Sequence, residues 1–143
     1  MKQATSAGGI IVKREGGKYF LLLLFYPEYG DLGFLKGHTK EGETIEETAI
    51  QEMKEEAGLE KVSIVNKVGS LIRESVEDSG ETVLKTIHMF LMESKDFNHS
   101  DKAEEKYGWY ELDEAIKKMA FKEEAEFLRK YKEAIIKQFD SMS

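Results

Sequence analysis

The chain has 143 residues, of which 41% are hydrophobic and 34% charged, a formal net charge of −7 and no cysteine. This is enough for one domain with a real core and too little for two, and the composition is that of a soluble globular chain. The charge argues against a broad basic surface for nucleic acid. The missing cysteines exclude disulfides, thiolate metal sites and a cysteine nucleophile, which suits a reducing cytoplasm.

The N-terminal segment "MKQATSAGGIIV" has no long apolar stretch and no small-residue cleavage site, so it does not read as a secretion signal. "ATSAGGIIVKR" and "KYFLLLLFY" read as strands joined by "EGG" in a hairpin. The apolar run in the second is far shorter than the ~20 residues of a membrane span. "PEYGDLGF" reads as a loop punctuated by Gly30 and Gly33, followed by a Gly-His loop. A helix is predicted from about Thr44 to Ala57: Thr44 and Glu47 make a capping box and Gly58 supplies the stop. "KVSIVNKVGSLIRE" and "ETVLKTIHMFLMES" are long strands joined by "SVEDSG", and "YGWYEL" is a short one. Asp113 is placed as cap of "EAIKKMA", and Lys122 to Gln138 is helical, with Phe127, Leu128, Tyr131 and Ile135 at helical spacing. No repeat, low-complexity tract or linker interrupts the chain, so residues 1–143 read as one domain. The order of elements implies a mixed sheet held between helices.

The first helix carries its charge in the wrong place. At about 100° per residue from Ile45, the residues Ala49, Met53, Ala57 and Ile50 span a buried sector from about 40° to about 140°. Glu47 and Lys54 point away from it. Glu56 and Glu52 fall at its edge or inside it, with Glu55 beside them. Glu46 also falls inside, but in a first turn where the helix dipole favours acids. Three neighbouring carboxylates at i, i+3 and i+4 repel one another unless something compensates. One reading is a solvated acidic face. The other is a hard divalent cation such as Mg²⁺, whose shell phosphate oxygens would complete.

The segment also carries a pattern: Gly37, Glu43, then Gln51-Glu52-Met53-Lys54-Glu55-Glu56-Ala57-Gly58-Leu59. Its spacing resembles the Nudix box, which is far more specific than a lone glycine motif. One position departs, with Gln51 where that family has arginine. The resemblance implies an α+β fold, a mixed β-sheet sandwiched between α-helices (α/β/α), and hydrolysis of a diphosphate linkage in a nucleotide. It implies that Glu52, Glu55 and Glu56 hold Mg²⁺ or Mn²⁺ with help from the Gly37 carbonyl, one of them possessing the alternative role of base. Metal ions suit this chemistry because they polarise phosphoryl groups, acidify water and orient an in-line attack. The family arginine pairs with box glutamates. Gln51 can hydrogen-bond but cannot neutralise, so the cluster is expected to be less well fixed and activity reduced.

Three further stretches, "GFLKGH", "LKTIHMFLMES" and "EEKYGWYELDEAIKKMAFKEEAEFL", resemble the asymmetrical diadenosine tetraphosphate hydrolases, with Leu35 in place of a proline. Taken with the box, they imply cleavage of diadenosine tetraphosphate to ATP and AMP. Lys36, His38 and Lys85 are candidates to offset polyphosphate charge, the lysines as point charges. Tyr26, Tyr29, Tyr107 and Phe121 are candidates for stacking on adenine, although each is also a natural core or rim residue. Trp109 reads as core and His88 as a strand residue. Glu104, ahead of Glu105, is placed as an additional metal ligand from the loop before "YGWYEL". The expected partner is a small nucleotide, with no membrane and a monomeric or homodimeric state. Alternatives are a Nudix pyrophosphatase on a nucleoside triphosphate, ADP-ribose or a 5′-capped RNA end, and a catalytically weakened nucleotide-binding module.

Overall fold

The computed structural model describes residues 2–28, 30–95 and 106–142. Its sheet is organised by one long strand, β1 (Lys2–Glu15), flanked on one side by β6 (Thr82–Ser94) in parallel register from Lys2↔Val83 to Ile11↔Met92. The other side of β1 is shared. Its first half pairs antiparallel with β4 (Leu35–His38), from Ser6↔His38 to Gly9↔Leu35. Its second half pairs with β2 (Lys18–Tyr26), to which β3 (Asp31–Gly33) and β7 (Tyr107–Glu111) are also joined. The long β5 (Val62–Val76) forms a hairpin with β6 and ends the sheet.

Strand alternation sends successive side chains to opposite faces, and each face meets its own helical layer. Ala7, Ile11, Leu22, Leu24, Leu35, Phe90 and Met92 pack against α1 (Ile45–Ala57) through Ala49, Met53 and Ala57. Ile10, Val12, Leu21, Leu23, Phe34, Ile87, Met89 and Leu91 pack against α2 (Leu112–Lys118) and α3 (Lys122–Asp140). This is the expected α/β/α arrangement. A fully buried side chain of this size stabilises the fold by about 1.5–3 kcal/mol, so both layers are firmly held. The layers come close at glycines. A Cβ on Gly9 would lie 2.9 Å from the Met53 side chain, and one on Gly69 2.9 Å from the Tyr131 ring.

Two details correct the sequence reading. The stretch expected to be loop before α1 contains β3 and β4, which are too short and too glycine-rich to show a strand period. Asp113 does not cap α2. Glu111 does, accepting from the backbone N–H groups of Asp113 and Glu114 at 2.9 and 3.1 Å. Asp113, inside the first turn, instead pairs with Lys132 of α3. Among the described residues no helix is long and apolar enough to cross a membrane.

Candidate active site

The loop into α1 is locked by its own side chains. Thr44 Oγ1 accepts from the Glu47 N–H at 3.1 Å and the Glu47 carboxylate accepts from the Thr44 N–H at 3.0 Å, closing the expected capping box. Gly58 ends the helix in the left-handed region at φ 67°. The buried Thr48 hydroxyl donates to Glu43 at 2.6 Å, and that bond, with a weaker one from the Lys40 N–H, holds the Glu43 carboxyl below the usual carboxylate range. Glu43 therefore spends its charge on shaping the turn.

On α1 the acidic ridge lies where the helical wheel puts it. Glu56 is 9% exposed, and Glu52 and Glu55 are half-buried. Glu46 is exposed, because it sits in the first turn ahead of the packed Ala49. The Glu52 carboxyl rests on the bare backbone of Gly37: a Cβ there would lie 2.1 Å from the carboxyl carbon. Gln51 Nε2 donates to Glu55 Oε1 at 2.7 Å, so the residue standing in the arginine position does orient a box glutamate while leaving its charge unmet.

Hard carboxylate oxygens on adjacent helical turns, one of them resting on the bare backbone of Gly37, are donors of the kind that suits Mg²⁺ or Mn²⁺. The residues present thus fit a divalent ion. As placed, no three acidic or histidine side chains among the described residues already converge on one point; side-chain rotation about the glutamate stems is what binding would require.

The reverse face of β4 carries a second cluster. Gly37 faces α1, whereas its neighbours Lys36 and His38 face α3. His38 Nδ1 lies 3.4 Å from Ser6 Oγ. Lys36 is not the free point charge expected of it: its ammonium is 2.9 Å from Glu124 Oε2, whose side chain is fully buried at the start of α3. The contact is an ion pair without aligned hydrogen-bond geometry. The other oxygen, Oε1, accepts from the Phe34 N–H at 3.0 Å. Phe121 sits beside the pair, with the Lys36 ammonium 5.8 Å and the Arg73 guanidinium carbon 3.7 Å from its ring centre. Arg73 and Lys85 are register partners on β5 and β6. Burial, then the Arg73 and Lys36 charges, lower the Lys85 pKa from its ordinary value.

The stacking candidates divide. Tyr26 meets Phe121 edge-on at 6.4 Å, and the two line an open cavity of about 380 Å³ together with Asp31 and Ala120. Like Tyr26, Tyr107 and Trp109 pack partly buried against the α1-side core. Trp109 is therefore half-buried rather than fully core, with Lys13 4.8 Å above its ring. His88 is a strand residue, as read; burial and the adjacent Lys67 lower its pKa. Tyr29, Glu104 and Glu105 lie outside the described residues. Sequence reasoning missed Arg73 and Glu124, since one looks like any strand cation and the other like a first-turn acid.

The chain matches the NUDIX domain family over residues 2–131, and it belongs to the Nudix hydrolase family. Nudix enzymes generally use a divalent metal. Among particular relatives, the Ap4A hydrolase of C. elegans, solved as a binary complex, superposes with a TM-score of 0.69 at 27% identity, covering 93% of this chain and 98% of that one. The likeness to diadenosine tetraphosphate hydrolases expected from the sequence thus has a structural counterpart. The oxidized purine nucleoside triphosphate hydrolase of Mus musculus is 32% identical over 108 residues, 67% of each chain. The putative mutator protein MutT4 of Mycobacterium tuberculosis is 32% identical over 128 residues, covering 84% of this chain and 51% of its own length. This chain thus spans about half of that mycobacterial protein.

Proposed function

We propose that the protein hydrolyses a diphosphate linkage in a nucleotide with the help of Mg²⁺ or Mn²⁺, and that diadenosine tetraphosphate, cut to ATP and AMP, is its substrate. One observation carries this reading: the Glu52 carboxyl lies directly over Gly37, while the residues on either side of that glycine present a lysine and a histidine to the opposite face. A diphosphate at this strand edge would meet carboxylates on one side and cations on the other. The likeness to the C. elegans Ap4A hydrolase supports the choice of substrate.

Glu52 and Glu56, with the Gly37 carbonyl, are the residues that would hold the ion. Glu104, which precedes β7 in the sequence, would assist. When bound, the ion supplies positive charge that polarises the phosphoryl group and acidifies water. The chain does the rest. Glu55, which accepts a hydrogen bond from Gln51, would take a proton from the attacking water. Lys85 and His38 orient the phosphate chain on the far face of β4, and Phe121 with Tyr26 offers apolar surface to a base. Lys36, already paired with Glu124, contributes by holding β4 against α3 as much as by meeting phosphate.

The name of the mouse relative favours a second reading, hydrolysis of a nucleoside triphosphate. Incubating the protein with Mg²⁺ and a panel that includes diadenosine tetraphosphate, nucleoside triphosphates, ADP-ribose and a 5′-capped RNA separates the two. ATP and AMP in equal amounts are expected from the first substrate. Turnover confined to triphosphates would replace the substrate assignment, and no turnover on any member would leave a nucleotide-binding module.

A further inference from the structure

The face of the sheet turned towards α3 gathers more positive charge than the described residues neutralise. Lys36, Arg73 and Lys85 belong to one group: Arg73 and Lys36 approach Phe121 from their own strands, and both bear on the Lys85 charge. The one buried carboxylate among them, Glu124, is committed to Lys36 and to the Phe34 N–H. Among the described residues, Glu77 is the acid that bears on Lys85, and it does so more weakly than burial and the two cations. Neither Arg73 nor Lys85 has an ion-pair partner among the described residues.

Arg73 is held in an unusual way. Its guanidinium lies over the Phe121 ring, and its Nε is buried with no hydrogen-bond partner. A buried N–H left unpaired costs about 1–3 kcal/mol, so the side chain is held here at a cost. The stack also fixes the planar fork in advance, so little side-chain freedom remains to be lost when an anion is bound. Between the cations, the β1 residues on this face are small: Ala4 lies level with Lys85, Ser6 with His38 and Gly8 with Lys36. Ser6 and Gly8 are buried beneath this layer and Ala4 is half-buried, with Lys36 and His38 on one side and Lys85 and Arg73 on the other.

The geometry points to a second anion-binding subsite, in which Arg73, backed by Phe121, and Lys85 grip phosphates remote from the linkage that is cut. The subsite rests on the proposed hydrolysis of a nucleotide and deepens it: the ligand class is a run of three or more consecutive phosphates, long enough to reach from the Gly37 edge to Arg73 and Lys85. Arg73 acts here as a specificity-determining residue, reading phosphate chain length. A diphosphate-bridged nucleotide would be held at the carboxylate edge and leave the subsite empty.

Calorimetric titration with inorganic tripolyphosphate, without divalent metal, tests the subsite apart from turnover. The native protein should bind tripolyphosphate at least about tenfold tighter than orthophosphate. Arg73→Met keeps an apolar stem against Phe121 and removes the fork; it should lose about tenfold of that affinity, the scale of one charge-assisted hydrogen bond. Lys85→Met, on the neighbouring strand, should show a similar loss and serves if the first variant does not fold. Equal affinity of a folded variant and the native protein for tripolyphosphate overturns the proposal. In turnover, Arg73→Met should lower kcat/KM for a tetraphosphate-bridged dinucleotide about tenfold more than for a diphosphate-bridged one, mainly through KM; equal losses on both also overturn it. If the native protein cleaves no dinucleotide but tripolyphosphate binding still depends on Arg73, the subsite stands and the substrate assignment falls.

Discussion

Two helices set glutamates against this sheet, fully buried on α3 and half-buried on α1, and they treat the charge differently. On α3, Glu124 is fully enclosed and receives both an ammonium and a backbone N–H. On α1, Glu55 receives only the neutral amide of Gln51, and Glu52 lies against a glycine that offers no side chain. A buried acid with a cation in reach is a structural element. The α1 acids that meet a neutral amide, as Glu55 does, or a bare backbone, as Glu52 does, are the ones the proposed ion would draw on. The identity of the partner, more than the depth of burial, separates the two helices.

This contrast yields tests of different size. Glu52→Gln removes a charge from the ion's side and should reduce turnover by at least about a hundredfold while leaving the thermal midpoint nearly unchanged; unaltered kcat would remove Glu52 from the site. Lys36→Met attacks the other helix. It leaves Glu124 buried without its cation and should lower unfolding free energy by about 3–5 kcal/mol. The double variant Lys36→Met, Glu124→Met should recover most of that loss in denaturant titration. If the single and double variants are equally unstable, the pair has no special role.

Gly37→Ala would sharpen the comparison from the strand between the helices. The added methyl must push the Glu52 carboxyl aside, since a Cβ there is 2.1 Å from its carbon. Turnover should fall by roughly tenfold to a hundredfold, with little change in stability because the displaced group ends a flexible side chain. Gln51→Arg supplies the missing charge to Glu55 and should raise kcat several-fold; a fall would mean that the amide is the better orienter here. The smallest effect concerns pH. Because His88 has a lowered pKa in the fold, the unfolded chain binds its proton more readily. The stability this contributes is full above the ordinary histidine pKa of about 6.5 and is lost as pH falls through the lower folded value. Melting curves taken from neutral to mildly acid pH should show a shallower decline in His88→Gln.

The box was legible in the sequence because spacing and helical period agree there: Thr44, Glu47 and Gly58 fix the helix ends, and Ala49 and Met53 fix the face. The long strands were legible for the same reason. β3 and β4 were not, since three or four residues interrupted by glycine carry no period and are held by pairing with β2 and β1. The cap of α2 was misplaced by two residues because Glu111 and Asp113 are both acids at the start of one short helix. Lys36 was recognised, but its attachment to Glu124 joins distant parts of the chain and leaves no local trace. Arg73 was invisible for a related reason, since only the fold brings Phe121 over it.

The alternation of β4 has an evolutionary corollary. Because Lys36 and Gly37 are adjacent and face opposite layers, deleting or adding one residue just upstream would exchange them, setting a bulky ammonium under the Glu52 carboxylate and a bare backbone where Glu124 expects its counterion. Insertions of even length in this short strand would preserve the facing, whereas odd ones would not. Divergent sequences should therefore tolerate substitution at Leu35 far better than any change in the count of residues that leads to Gly37.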